Sequence, residues 1–344
     1  MKRKVLVIAS VFFIVLVLSV AFIQNDINSS QSEIEFNSEV ELRNSAKKNI
    51  HVSSLTSNGN TSDLFFTKVP DRVIVDRMDN LETMLQFGIE DKIVLASVRE
   101  ENSSYKNLEK KYGSRLTGIP GIHYQDFDLE TALYANPDLI LGWRSTFSRA
   151  RLRDTDWWKS RGINAYIVST SNHSLPVSTV EDELKYLSDM GKIFSKEEIV
   201  NNYTSQVHNE LQYINQARSG LPGPTVAVIE FNGRKIINYD KTWLIGDMVT
   251  RMGGSMPISA RSISIEDLLY YNPDVIFVIY LKDDQLQDRK NRMNQPEFSS
   301  LNAVKNKRIN YILLDYIYSP GFKTLDGIRM IKDGLYPALP SIWG

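Results

Sequence analysis

The sequence contains no cysteine. That one absence excludes disulfide staples, thiolate metal sites, a cysteine nucleophile and a lipid-modified N-terminal cysteine. Histidine is scarce as well, with only His51, His123, His173 and His208. A bare transition metal calls for imidazole or thiolate ligands converging on one point, which this chain poorly supplies, so no metal site is assigned. His123 with Asp126 and Asp128 is the densest cluster, and Asp128 is better read as a helix cap. Neither sign of charge dominates. Lys+Arg 40 against Asp+Glu 41 leaves a formal charge of -1, so no basic field reaches out for nucleic acid and a charged ligand must be met locally. Catalytic signatures are missing too: there is no Gly-x-Ser-x-Gly elbow, no phosphate loop, no Gly-x-Gly-x-x-Gly after a strand and no His-Glu-x-x-His. Ser103-Ser-Tyr-Lys106 matches Ser-x-x-Lys without the partner motifs that would give it a role.

What is present is an ordinary globular composition, 42% hydrophobic and 24% charged over 344 residues, enough for two separate cores. Lys2, Arg3 and Lys4 precede an uncharged run from Val5 to Ile23, long enough at about 1.5 Å per residue to cross a bilayer core. Two readings stand: a signal peptide cleaved after Ala21, in Ser19-Val20-Ala21, or an uncleaved membrane anchor. Both place the folded part outside the cytoplasm, in the periplasm or at the outer face of the cytoplasmic membrane. Residues 24–65 are rich in Ser, Asn and Glu and read as a flexible tether.

Beyond the tether, apolar runs bounded by turn residues predict strands at Arg72–Val75, Lys92–Ala96, Asp138–Trp143, Asn164–Val168, Thr225–Ile229, Lys235–Ile237, Asp274–Tyr280 and Arg308–Leu314. Amphipathic stretches lie between them at Asn80–Phe87, Leu129–Ala135, Ser148–Arg161, Trp243–Met252 and Thr324–Leu335. The class is α/β with largely parallel sheets. An internal repeat divides it in two: Glu130-Thr-Ala-Leu-Tyr-Ala-Asn-Pro-Asp-Leu-Ile matches Glu266-Asp-Leu-Leu-Tyr-Tyr-Asn-Pro-Asp-Val-Ile. Each copy predicts a helix capped by Asp128 or Ser264, stopped at Asn-Pro, and followed by a strand. Lobes near 66–176 and 224–344 flank a helical connector at 177–223, whose capping boxes read as Ser178 to Glu181 and Ser195 to Glu198.

With these features, the chain resembles an ABC-transporter substrate-binding protein of the class that captures iron-siderophores, haem and cobalamin. The resemblance covers about residues 66–338. It rests on Pro70-Asp-Arg-Val-Ile-Val, Leu85-Gln-Phe-Gly-Ile, Asp128 to Trp143, Leu244-Ile-Gly-Asp-Met-Val-Thr-Arg-Met-Gly-Gly254, and Ser264-Ile-Glu266 with its Asn-Pro-Asp strand. It implies two similar lobes joined by a long rigid helix, with a ligand cleft between them. It also implies a monomer that delivers a small-molecule chelate to a permease dimer with its ATPase subunits. Glu130 and Glu266 resemble the family's docking glutamates, one per lobe. Two departures stand out: Gram-positive members usually carry a lipid-anchoring cysteine, and the haem binders' iron ligands find no clear counterpart here.

Ligands of open α/β sheets bind beyond the carboxyl ends of the strands. The loops there carry Arg77, Arg99, Trp143, Arg144, Arg234, Tyr316, Tyr318 and Lys323, and Trp243 stands at the head of a predicted helix. Fixed cations beside flat aromatic surfaces suit an anionic, ring-bearing ferric chelate, with no intrinsic cofactor. Arg99 and Arg144, each directly after an apolar strand, are the leading anion contacts. The run Arg149, Arg151, Arg153, Lys159 and Arg161 reads as a solvated helix face. A cobalamin or haem binder of the same fold is the alternative, followed by a chelatase-like enzyme.

Overall fold

A computed structural model of the chain describes residues 49–98, 103–123 and 125–340. The N-terminal segment 1–23, the expected tether through residue 48, and Arg99 lie outside the described residues. Among the described residues no helix is long and apolar enough to cross a membrane. Residues 51–65 and 69–340 belong to one compact unit.

The first surprise is a β-hairpin, β1 (Ile50–Leu55) and β2 (Thr61–Phe66), within the stretch read as tether. Its strands are short and mixed in polarity, so composition alone reads them as linker. Partners distant in sequence hold it in place. Ser54 Oγ accepts from the backbone N–H of Ile167 at 2.9 Å, and Ser57 Oγ accepts from that of Thr155 at 3.0 Å.

The N-terminal lobe then builds β3 (Val73–Asp76), α1 (Met78–Phe87), β4 (Ile93–Ser97), α2 (Ser103–Tyr112), β5 (Ile122–His123), α3 (Leu129–Tyr134), β6 (Leu139–Gly142), α4 (Thr155–Lys159) and β7 (Asn164–Ile167). The sheet runs β5-β4-β3-β6-β7, every neighbour parallel, so all its carboxyl ends share one edge. Ile74, Leu95, Ile140 and Ile167 point from it into a core with Phe127, Phe147 and Trp158. Only residues 155–159 of the predicted Ser148–Arg161 stretch are helical. Asp154 accepts from the Trp157 N–H there, and that cap starts the helix late.

The connector is a helical pair, α5 (Val180–Phe194) and the 21-residue α6 (Glu197–Ala217). Its caps differ from the sequence reading. The first capping box is one residue on, Thr179 with Asp182. The second does not form, because Ser195 is drawn into the left-handed conformation (φ 55°) that closes α5, and Lys196 stands at the α6 N-cap without a side-chain bond. Val207, Leu211 and Ile214 of α6 join the core of the C-terminal lobe.

That lobe comprises β8 (Val226–Asn232), β9 (Lys235–Asn238), α7 (Leu244–Arg251), β10 (Ser262–Ile263), α8 (Ile265–Tyr271), β11 (Val275–Tyr280), α9 (Gln285–Met293), β12 (Ile309–Leu313) and α10 (Thr324–Leu335). Its sheet, β10-β9-β8-β11-β12, is parallel through β8, β11 and β12, and turns antiparallel where β9 doubles back on β8. The repeat is reproduced in its main features, although only the second copy closes a reciprocal capping box, Ser264 with Asp267. Asp128 and Ser264 cap α3 and α8, Asn136 and Asn272 both take φ 45° before their prolines, and the following aspartates secure the sheet's first strand. Asp138 accepts from the Arg72 N–H at 3.0 Å, and Asp274 from the Thr225 N–H at 2.9 Å.

Candidate functional site

The carboxyl ends of the two sheets open onto a common cavity of about 290 Å³. Arg77 and Asp79 follow β3, Val98 follows β4, Trp143 and Ser145 follow β6, and Leu281, Asp315, Tyr318, Ser319 and Lys323 come from the opposite lobe. Parallel strands direct these loops to one edge of each sheet, so loops far apart in sequence meet here.

Beneath the cavity, Asp76 is fully buried at the end of β3. It accepts two bonds from the Arg151 guanidinium at 2.7 and 2.9 Å and a third from the Thr146 hydroxyl. Burial pushes its carboxyl up, and the Arg151 bonds with the charge of Arg77 more than reverse this, so Asp76 titrates below the usual carboxylate range. Arg151 is therefore part of the site's foundation and not of a solvated helix face. Gly142 makes the arrangement possible: a Cβ there would lie 2.7 Å from the Thr146 hydroxyl oxygen. Thr146 then accepts from the Trp143 N–H at 3.0 Å, which fixes the start of the Trp143 loop.

Trp143 begins an aromatic wall that crosses between the lobes. Its indole Nε1 donates to Asp79 at 3.0 Å, the Arg77 guanidinium lies 5.4 Å from its ring centre, and Tyr318 meets it edge-on at 5.3 Å. Tyr318 continues to Trp243 at 6.0 Å, and Trp243 to Tyr239 at 4.5 Å. The far end is closed by His173, packed edge-on against Trp243, and by Arg261, whose guanidinium lies 5.7 Å from the Trp243 ring centre. These last residues line a second, more open cavity of about 370 Å³, which shares Asn172, Leu314 and Tyr318 with the first. The Asn172 N–H donates to the Tyr318 hydroxyl at 2.6 Å and joins the two lobes at this point.

Electrostatically the first cavity is balanced, with Arg77 and Lys323 facing Asp79 and Asp315. Arg77 lies 3.2 Å from Asp126, and Lys323 lies 3.2 Å from the buried Glu82. Asp79 is raised to about 7 by burial and by the neighbouring Glu183 charge, against the Trp143 bond and Lys323. Glu183, on α5, is also raised to about 7 by burial, although the Thr170 hydroxyl and the Gly321 N–H both donate to it. Burial pushes His173 down, aided by Arg261, and its Nε2 is buried without a hydrogen-bond partner.

The structure thus gathers Arg77, Trp143, Tyr318 and Lys323 around one cavity and places Trp243 on the adjoining one. Tyr316 faces elsewhere, with Glu82, Lys111 and Asp326 around a smaller cavity that Lys323 also borders. Arg144 is not a cavity residue: its Nε donates to the Ser57 carbonyl at 3.0 Å, on the hairpin that the sequence reading did not anticipate. Arg234 stands exposed at the two-residue turn between β8 and β9, far along a strand that runs on past its parallel register. His173, Tyr239 and Arg261 were missed as site residues. The only sequence signal for Arg261 was a cation just ahead of the second repeat.

Glu130 and Glu266 occupy equivalent exposed positions in the first turns of α3 and α8.

A family model described as periplasmic binding protein matches residues 73–314. No protein of curated function matches the chain. Among solved structures, a periplasmic binding protein from Veillonella parvula is 28% identical with a TM-score of 0.77, over 85% of this chain and 92% of its own. The fold is shared by an ABC-type Fe3+-hydroxamate transport protein from Saccharomonospora viridis (18% identity, TM-score 0.64, 83% of this chain and 99% of its own). It is shared too by a petrobactin-binding protein from Bacillus subtilis (20%, 0.63, 84% and 99%). With two α/β lobes, a cavity where their strand ends meet and a family match across both, the chain belongs to the periplasmic binding protein family.

Proposed function

We propose that the protein captures a ring-bearing ferric chelate outside the cytoplasm and delivers it to the permease of an ABC importer, with Glu130 and Glu266 making the docking contacts. One observation carries this reading: the aromatic wall Trp143–Tyr318–Trp243, with a guanidinium at each end, Arg77 and Arg261. Indole and phenol faces cover apolar ring surface, while guanidinium forks to catecholate, hydroxamate or carboxylate oxygens. Neither step needs covalent chemistry. The anion contact falls to Arg261 in place of Arg144, whose guanidinium is engaged on the hairpin. The Saccharomonospora neighbour is described as belonging to an Fe3+-hydroxamate transport system and the Bacillus neighbour as petrobactin-binding, which supports the reading.

Tryptophan-fluorescence titration tests this, since Trp143 and Trp243 both line the cavities. Ferric hydroxamate and ferric catecholate complexes, haem and cobalamin are titrated in parallel. A ferric chelate is expected to saturate at low concentration, and Arg261→Ala to weaken it about tenfold or more, as loss of a charge-assisted contact does. Saturation by cobalamin or haem alone, or an Arg261→Ala variant that binds the chelate unchanged, overturns the assignment.

A further inference from the structure

Outside the cavities, the two most solvent-exposed large apolar side chains named for the described residues are Tyr134 at 92% and Tyr270 at 84%. They hold the same place in the internal repeat. Each lies four residues after the repeat's glutamate, Glu130 or Glu266, so each helix presents a carboxylate and a phenol one turn apart on the same side. The inward faces correspond as well. The single buried residue of α3 is Ala132 and that of α8 is Leu268, the same repeat position, so both helices are seated with the same face out. Caps at Asp128 and Ser264 and left-handed turns at Asn136 and Asn272 hold both helices in that pose before any partner arrives.

We propose that Tyr134 and Tyr270 are the apolar anchors of a duplicated docking surface, each Glu–Tyr pair seating on one subunit of a two-fold related membrane permease. The inference rests on the docking reading of Glu130 and Glu266 and adds the residues that supply its contact area. An exposed tyrosine contributes nothing to the free protein's core, yet tyrosine is among the side chains most enriched at the energetic centres of interfaces. A partner that presents one surface twice, by two-fold symmetry, is matched by a patch built twice; a partner with a single unique surface needs one copy. The acidic neighbour specifies a basic side chain beside an apolar depression on each subunit.

The test uses the full-length protein in its own host, with a photoreactive benzoylphenylalanine at position 134 or 270. Both positions are expected to crosslink to the same polytopic membrane polypeptide, identified by peptide sequence as an ABC permease. Glu130→Arg with Glu266→Arg should remove both crosslinks, and the same probe at the exposed Leu221 should give none. Crosslinks to a second copy of this chain, to two different polypeptides, or to nothing overturn the proposal. Uptake of 55Fe-labelled ferric hydroxamate and ferric catecholate separates it from the docking reading. Tyr134→Ala with Tyr270→Ala is expected to cut uptake about tenfold or more while the fluorescence titration stays within about twofold. If the glutamate reversal abolishes uptake and the tyrosine pair does not, the anchors are wrong and the docking stands. If neither changes uptake, both fail.

Discussion

Arg151 shows how little a single residue's role can be read from its neighbours in sequence. In a run with Arg149, Arg153, Lys159 and Arg161, interleaved with Asp154 and Asp156, it has every mark of a solvated side chain. The structure closes it onto Asp76, 75 residues away, through two bonds to a carboxylate that has no water to fall back on. The burial of Asp76 was hidden because β3 ends with it and nothing local says which strand end lies under other chain. Breaking a buried ion pair from one side costs up to about 3–5 kcal/mol, and here it would leave the buried carboxylate with Arg77, 3.8 Å away, as its remaining cation. Arg151→Ala is accordingly expected to lower the urea midpoint markedly. Arg151→Ala with Asp76→Asn should recover part of the loss, because the amide carries no charge to leave buried and can still bond to Thr146. A single variant as stable as the parent would show that Asp76 finds water or a proton instead.

At the scale of elements, legibility followed periodicity. Strand β11 is a continuous apolar run and matches its expected bounds within one residue, as α10 matches Thr324–Leu335, whereas β8 starts within one residue of expectation but runs three residues past Ile229, through Glu230 to Asn232. The two-residue strands β5 and β10 and the hairpin β1–β2 carry no such pattern and exist only through tertiary bonds. The hairpin also explains Arg144. A cation directly after an apolar strand was expected to face ligand, but the turn at Ser57 offers a carbonyl that takes its Nε. Its NH2 comes within 3.7 Å of where a Cβ on Gly59 would be. Arg144→Ala is therefore expected to leave affinity in the fluorescence titration unchanged within about twofold, since loss of a bond to a neutral carbonyl on the hairpin acts on local stability. Amide exchange across residues 51–65 should accelerate in the same variant. A tenfold loss of affinity with unaltered exchange would return Arg144 to the ligand site.

For the whole molecule, the repeat made two lobes legible, and loops beyond their strand ends line the cavity. What joins the lobes was not. Glu183 on α5 accepts from Thr170 of the N-terminal lobe and from the Gly321 N–H of the C-terminal lobe, and Thr170 in turn lies 3.0 Å from Ser319. Tyr186, one turn on, donates to Asn80 at 2.8 Å, beside the cavity residue Asp79. This seam holds two buried carboxyls, Asp79 and Glu183, that titrate near 7, and it sets a pH dependence.

Unfolded carboxyls titrate near 4, so between about pH 4 and 7 the folded chain holds protons the unfolded chain has lost. The stability these groups contribute is fully present below about 4 and is lost as pH rises through about 7, on the order of a few kcal/mol for the pair. Asp76, held low, acts in the opposite sense, and its contribution disappears only under more acid conditions, outside this window. Glu183→Gln with Asp79→Asn should flatten the decline between pH 5 and 7.5. The substituted amide can be accommodated: its oxygen faces the Gly321 N–H, and its NH2 faces Thr170, whose hydroxyl turns to donate to Ser319. Urea denaturation at half-unit steps of pH decides the matter. A parent protein that gains stability from pH 5 to 7, or a double variant that keeps the parent's slope, would mean both carboxyls are ionised in the fold and the seam is held by charge.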